Sequence, residues 1–174
     1  MYNSDTLTEC TVKKEPNGTL LGLFYALVVI IPIAAIILIG IENTVQSVIF
    51  YGVPIIIIAA IVGYFGYKYL FIVDFDYSLL GSTFSVDEIR GGSFRRTVFS
   101  VEMKNVSVFV SEEHRSRIEN TDFAKIQKFV SSETSENRYY AVYTDEGDSA
   151  QKLIVIEPSE EMLGAISSQF RGRR

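Results

Sequence analysis

Two long apolar runs, Thr19–Ile41 and Val48–Val73, separated by a handful of polar residues, constrain this chain more than any other feature. Each matches or exceeds the roughly 20 residues a helix needs to cross about 30 Å of hydrocarbon. No charge appears in either run before Lys68, whereas a soluble core helix would show polar positions every few residues. The pair therefore reads as a transmembrane hairpin. The first run follows a polar stretch, exceeds the roughly 7–15 residues of a signal core and is not followed by an A-x-A-like site, so it reads as a retained anchor.

The 174 residues leave room for one soluble domain of about 100 residues beside the hairpin. Charges become frequent after Val73, which gives the expected organisation: a polar tail over 1–18, the hairpin over 19–73 (spans 19–41 and 48–73), and a soluble domain over 74–174. Formal charge is −5, and acids outnumber bases from Asp74 onward, so nucleic-acid binding through bulk charge is disfavoured. Cys10 is the single cysteine, which excludes an internal disulfide and fits a reducing cytoplasm. Leu7-Thr8-Glu9-Cys10 has neither the apolar lead-in nor the small residue of a lipoprotein processing site, and reads as a solvated tail.

Lys13 and Lys14 precede the first span and Lys68 ends the second, while the loop Glu42–Ser47 carries one acid and no base. The positive-inside rule then puts both termini in the cytoplasm, in a two-span protein of the cell membrane. Phe24, Tyr25, Phe50, Tyr51, Tyr64, Phe65, Tyr67, Tyr69 and Phe71 suit the interfacial belts. Pro32 and Pro54 fall inside the spans, but no acid, base or amide lies deep in either, so an ion or substrate relay within one chain is not expected. Gly18 and Gly22 form G-x-x-x-G at the entrance of the first span, a weak dimerisation signal; Gly63 and Gly66 are better placed to let the two helices pack closely.

From Asp74 the apolar period changes to two. Phe75, Tyr77 and Leu79 alternate with Asp74, Asp76 and Ser78, Gly81-Ser82 marks a turn, and Phe84 and Val86 continue to about Ile89. The Gly-rich connector Arg90–Arg96 leads into Thr97–Met103, and Lys104-Asn105 turns the chain into Val106, Val108 and Val110. Glu112–Asp122 reads as a surface loop. Ala124–Val130 fits either a helix or a strand, with strand preferred. Arg138–Asp145 and Lys152–Glu157 are strands around Glu146-Gly147-Asp148. Ser159 is an N-cap with Glu160 and Glu161 in the first turn, and Met162, Leu163, Ile166 and Phe170 share one face of a closing helix that Arg171, Arg173 and Arg174 finish.

The resulting fold class is an α+β membrane protein: a two-helix transmembrane hairpin, then a PH-like antiparallel β-barrel or sheet of about seven strands with a C-terminal helix. The run Ile156–Leu163, the turn Val101–Val106 and the hairpin before it resemble bacterial two-span membrane proteins with a PH-like cytoplasmic domain, a family of unknown function. That resemblance implies fold and topology and carries no catalytic residue across.

The most suggestive polar feature is the Arg90–Arg96 connector. Gly91 and Gly92 could expose backbone N–H groups to an anion, while Arg90, Arg95 and Arg96 supply charge-assisted contacts to lipid headgroups. The bland alternative is a flexible turn with solvated arginines. Lipid-binding PH domains usually hold phosphates with basic residues around the first hairpin, here taken as Leu80-Gly81-Ser82-Thr83, which argues against inositol-phosphate recognition. His114 beside Glu112 and Glu113 lacks further metal ligands at suitable spacing. Asp74 and Asp76 alternate on a strand and are expected to face water rather than to act as an acid–base pair. The expectation is a non-enzymatic protein without a cofactor, whose partners are the lipid bilayer and either another protein or a second copy of itself.

Overall fold

The computed structural model describes residues 7–42, 45–145, 147 and 150–171. The loop residues Asn43 and Thr44, Glu146 and Asp148 of the last turn, and Arg173 and Arg174 lie outside the described residues, as does the side chain of Arg171. Two compact units result: Glu15–Ile72 forms one, and the strand before it joins Val73 onward in the other.

The first unit is the helix pair α1 (Gly18–Glu42) and α2 (Val45–Phe71). Asn17 caps α1, its Oδ1 accepting the N–H groups of Thr19 at 3.0 Å and Leu20 at 3.3 Å. At about 1.5 Å per residue each helix exceeds the ~30 Å of a bilayer core. Glycines set the contact between them: an added Cβ on Gly63 would stand 3.0 Å from a Val28 methyl, and one on Gly66 would stand 2.6 Å from the Phe24 ring. An added Cβ on Gly18 or Gly22 would meet no atom within 4 Å. Both helices are apolar all round, with only 0% and 11% of their most hydropathic windows buried.

Among its described residues the second unit has eight strands, one more than the seven or so expected. The extra one comes from the segment expected to be a polar tail: β1 (Leu7–Lys13) pairs antiparallel with β2 (Val73–Leu80) along its whole length, from Leu7↔Leu80 to Lys13↔Asp74. Thr8, Cys10 and Val12 are its covered positions, and Cys10 and Val12 pack on the core. The Lys14 N–H continues the ladder, donating to the Val73 carbonyl at 2.9 Å. The helix pair is thus inserted between two adjacent strands of the domain.

β3 (Thr83–Arg90) and β4 (Phe94–Glu102) complete a first sheet, ordered β1-β2-β3-β4. Its inner face carries Val73, Phe75, Tyr77, Leu79, Phe84, Val86, Phe99 and Val101. A single 3₁₀ turn at Met103–Asn105 leads to the second sheet, β5 (Val106–Ser111), β6 (Lys125–Phe129), β7 (Tyr139–Tyr143) and β8 (Lys152–Ile156), ordered β5-β7-β8-β6. The segment at Ala124–Val130 is a strand as expected, but it pairs parallel with β8. The long 112–124 connection lets it arrive in that direction.

That connection is also more than a surface loop. Its Ile118 and Phe123, with Val130, cover the outer side of the second sheet over Val142, Leu153 and Val155. The second sheet is therefore buried on both faces, which is why β7 and β8 read Tyr-Tyr-Ala-Val-Tyr and Lys-Leu-Ile-Val-Ile without alternation. The closing helix α3 (Glu160–Arg171) starts at Ser159, whose Oγ accepts the Met162 N–H at 3.3 Å. Met162 (0% exposed) and Ile166 (2%) seat it on the core, where Ile166 lines a small apolar cavity together with Phe84, Phe109 and Ile156.

Tyr77 ties the two sheets together. Fully buried on β2, its hydroxyl donates to the Phe129 carbonyl at the end of β6 and accepts the Glu157 N–H just past β8 at 3.3 Å. Burial is the main reason that its hydroxyl is pushed well above the ordinary tyrosine range. Beside it, Glu157 Oε2 accepts the Ser131 N–H at 3.0 Å.

Candidate functional site

The three arginines of the connector do not form one cluster. Gly91 (φ 61°) and Gly92 (φ 72°) make a tight turn closed by the Ser93 N–H donating to the Arg90 carbonyl at 3.3 Å. Positive φ at both central positions is the requirement of a type I′ hairpin turn, which is why glycine stands at each. Strand β4 therefore begins at Phe94, three residues earlier than expected, and Arg95 and Arg96 are strand residues opposite Ile89 and Glu88.

A bulge then decides where they point. Register shifts between Val86 and Asp87, so that Val86 faces Phe99 but Asp87 faces Thr97, leaving Val98 as the extra residue. Below the bulge, Phe94 and Arg96 share the face of their partners Arg90 and Glu88, the face that carries Val73 and Phe75. Arg95 turns to the opposite side.

There Arg95 spans two acids, Nη2 to Asp76 at 2.7 Å and Nε to Asp87 at 2.6 Å. Asp76 also accepts the Thr11 hydroxyl at 2.9 Å and is 8% exposed, so it does not face water as its alternation suggested. A hydrogen bond from Thr97, then Arg95, holds the Asp87 carboxyl below its ordinary range. Arg90 is engaged by Glu88 at 2.9 Å. Arg96 is exposed, and among the described residues no ion pair or hydrogen bond engages its side chain. Beside it Phe94 is 58% exposed, an aromatic ring standing out of the strand without cover.

The other candidates resolve into local structure. His114 Nδ1 lies 3.1 Å from the Ser111 Oγ in the 3₁₀ segment Glu112–Arg117. Glu112 is occupied by Tyr140, Arg138 and Arg115: the Tyr140 hydroxyl donates to it at 2.5 Å and Arg138 Nε lies at 3.0 Å. The tyrosine hydrogen bond, then the two guanidinium groups, hold its carboxyl below the ordinary range. Among the described residues no group of three or more His, Cys, Asp or Glu side chains could hold a metal ion. An open polar depression of about 310 Å³ is lined by Thr83, Ser100, Glu102, Asn105, Thr144 and Asp145. Its two acids face lysines, Glu102 to Lys104 and Asp145 to Lys152, each at 2.6 Å.

Sequence reasoning missed the Arg95 bridge, because it depends on the bulge and on β1. It also took Leu80–Thr83 for the first hairpin of the domain. With β1 in place that turn joins the second and third strands, and the connection between the first and second strands is the helix pair itself.

Two four-stranded sheets around one core, closed by a C-terminal helix, define a PH-like domain. The chain belongs to the family described as a bacterial PH-like domain (DUF6106), whose model matches residues 4–173, helix pair included. No curated protein and no solved structure matches it.

Proposed function

We propose that this protein is a non-enzymatic integral membrane protein whose helix pair crosses the bilayer and holds the PH-like domain at its cytoplasmic face, where the domain binds a protein partner or a second copy. The observation that carries this reading is the pairing of β1 with β2 across the helix pair. Two strands joined along their whole length lie on one side of a membrane, so the segment between them crosses an even number of times. Both helices supply lengths suited to those crossings, and their exposed apolar surface calls for lipid or another apolar cover. Lys13, Lys14 and Lys68 favour the cytoplasm for that side.

Ion pairing of the acids in the open depression and around Glu112 supports a binding role over acid–base catalysis. The groove under the closing helix is filled by Met162 and Ile166, so the sheet edges are the better contact. On edge strand β6, Ile126 is 56% exposed between Lys125 and Lys128, apolar contact area guarded by charge.

The test is made in native membranes. Alkaline extraction should leave the protein in the membrane pellet; release into the supernatant would refute integral insertion. A photo-crosslinking residue in place of Ile126 should give one defined adduct, with itself or with another protein, and a chain that stays monomeric would refute the interaction role for this edge. A cysteine replacing Ser47 should react with an impermeant thiol reagent from outside the cell, while one replacing Glu102 should not. The reverse pattern would invert the orientation.

A further inference from the structure

The register of the first sheet brings its β3–β4 turn to the end at which the chain enters and leaves the helix pair. Val73 faces Arg90, and Arg90 faces Phe94. Two strand spacings, about 10 Å, therefore separate the backbones of Val73 and Phe94. Only Ile72 lies between Val73 and the last residue of α2, a reach of at most about 7 Å. On the other side of β2, β1 ends at Lys13, and Lys14 is bonded to Val73. Both connections to the helices leave from this one end.

What this end exposes is unusual for a surface turn. Phe94 stands 58% exposed, with Arg96 two residues on along the same face and Lys13 and Lys14 exposed on β1 and just beyond it. A ring beside a guanidinium suits the boundary between acyl chains and phosphates, where the ring finds apolar contact and the cation reaches a phosphate oxygen. The remaining arginines are not available for that purpose. Glu88 holds Arg90, and Asp76 with Asp87 holds Arg95. Asp74, Asp76, Asp87 and Glu88 offset most of the charge of Lys13, Lys14, Arg90, Arg95 and Arg96 at this end, so the contact is made by the ring with Arg96 beside it rather than by a basic patch selecting anionic lipid.

We infer that the β3–β4 turn is a membrane-surface wedge: Phe94 inserts at the headgroup boundary of the bilayer that the helix pair crosses, and Arg96 binds a lipid phosphate. The inference rests on the membrane reading above and adds a lipid contact to it. The wedge is a third attachment beside the two chain crossings. The opposite end of β4, at Glu102, is eight residues or about 27 Å away along the strand and stays in water.

The full-length protein with Cys10→Ala is reconstituted in vesicles of phosphatidylcholine with or without phosphatidylglycerol, and an environment-sensitive dye is attached at single cysteines. Ile37→Cys on α1 reports whether the helix pair is inserted, Phe94→Cys reports the wedge, and Glu102→Cys is the aqueous reference. The expected result is a blue-shifted emission at positions 37 and 94, quenched at 94 by headgroup-labelled lipid, with water-like emission at 102. Adding Arg96→Glu should lose most of the quenching at 94, Arg96→Lys should keep it, and phosphatidylglycerol should change it little. Water-like emission at 94 with a buried signal at 37 would overturn the wedge and leave the membrane reading intact; water-like emission at 37 would overturn both. A photo-crosslinking phenylalanine analogue at position 94 in the otherwise unchanged chain gives a second readout that does not depend on replacing Cys10. Lipid adducts are expected, and a protein adduct or none would refute the assignment.

Discussion

Replacing Tyr77 by Phe removes one oxygen atom and tests whether the two sheets are held together by that hydroxyl. The ring keeps its place beside Phe84, at 6.2 Å between centroids, so packing changes little. Two buried backbone groups lose their partner: the Phe129 carbonyl and the Glu157 N–H. Each unsatisfied buried group costs about 1–3 kcal/mol, offset in part because the hydroxyl itself no longer has to be desolvated. A net loss of about 2 kcal/mol is expected. With a urea dependence of about 1–1.5 kcal/mol per molar for a domain of this size, the unfolding midpoint falls by about 1.5 M. The assay is near-ultraviolet circular dichroism of the full-length protein in detergent. Tyr139→Phe is the control, since that ring stacks on Phe109 and no described residue hydrogen bonds its hydroxyl. The same variant changes the alkaline limb. Burial raises the folded-state pKa of Tyr77 above its unfolded value near 10. The stability contributed by its protonated form is therefore complete below pH 10 and is lost as pH rises above it. The wild type should weaken more steeply above pH 10 than Tyr77→Phe. Equal midpoints and equal alkaline slopes would refute the tether.

Gly92→Ala meets no atom within 4 Å, so its cost is the positive φ of 72° alone; about 1–2 kcal/mol of lost stability is expected by thermal unfolding, and a neutral result would mean that the turn adopts another form. Ile166→Ala truncates a side chain that is 2% exposed at the seat of α3, and should cost about 2–5 kcal/mol in the same assay; a loss under about 1 kcal/mol would mean that the helix is not seated there. Arg95→Gln should move the Asp87 titration upward, read by carboxyl-carbon NMR. Because the lowered pKa gives stability that is present above the unfolded value and lost as pH falls through the folded one, the variant should also have a shallower acid limb; an unmoved Asp87 would exclude Arg95 as a cause.

The helices, the order of the strands from Val73 onward and the Ser159 cap were legible because each rests on local chemistry: long apolar runs, alternation, turn glycines and a hydroxyl before two acids. Strand β1 left a fainter trace. Its covered positions are Thr8, Cys10 and Val12, a period of two written with only one strongly apolar residue, in a stretch whose position before a membrane run suggested solvent. The direction of β6 has no local signal, since alternation is the same whether the neighbour runs parallel or antiparallel. The arginine connector was found by composition, but its partition was not, because one extra residue at Val98 reverses the faces of everything below it. Tyr77 reads as an ordinary core aromatic in sequence; its second role depends on two backbone groups from distant strands.

The place of the helix pair between β1 and β2 has a consequence for biosynthesis. A ribosome makes β1 first and then the entire helix pair before the partner strand exists, so on the membrane reading proposed above β1 waits unpaired while both helices are handed to the bilayer. On that reading, completion of the first sheet reports successful insertion: a chain whose second helix failed to return would keep β1 and β2 on opposite sides and leave β2 as an open edge with Cys10 and Val12 missing from the core. Such a chain offers the bare edge of β2 to quality-control proteases, whereas in a correctly threaded one β1 covers that edge.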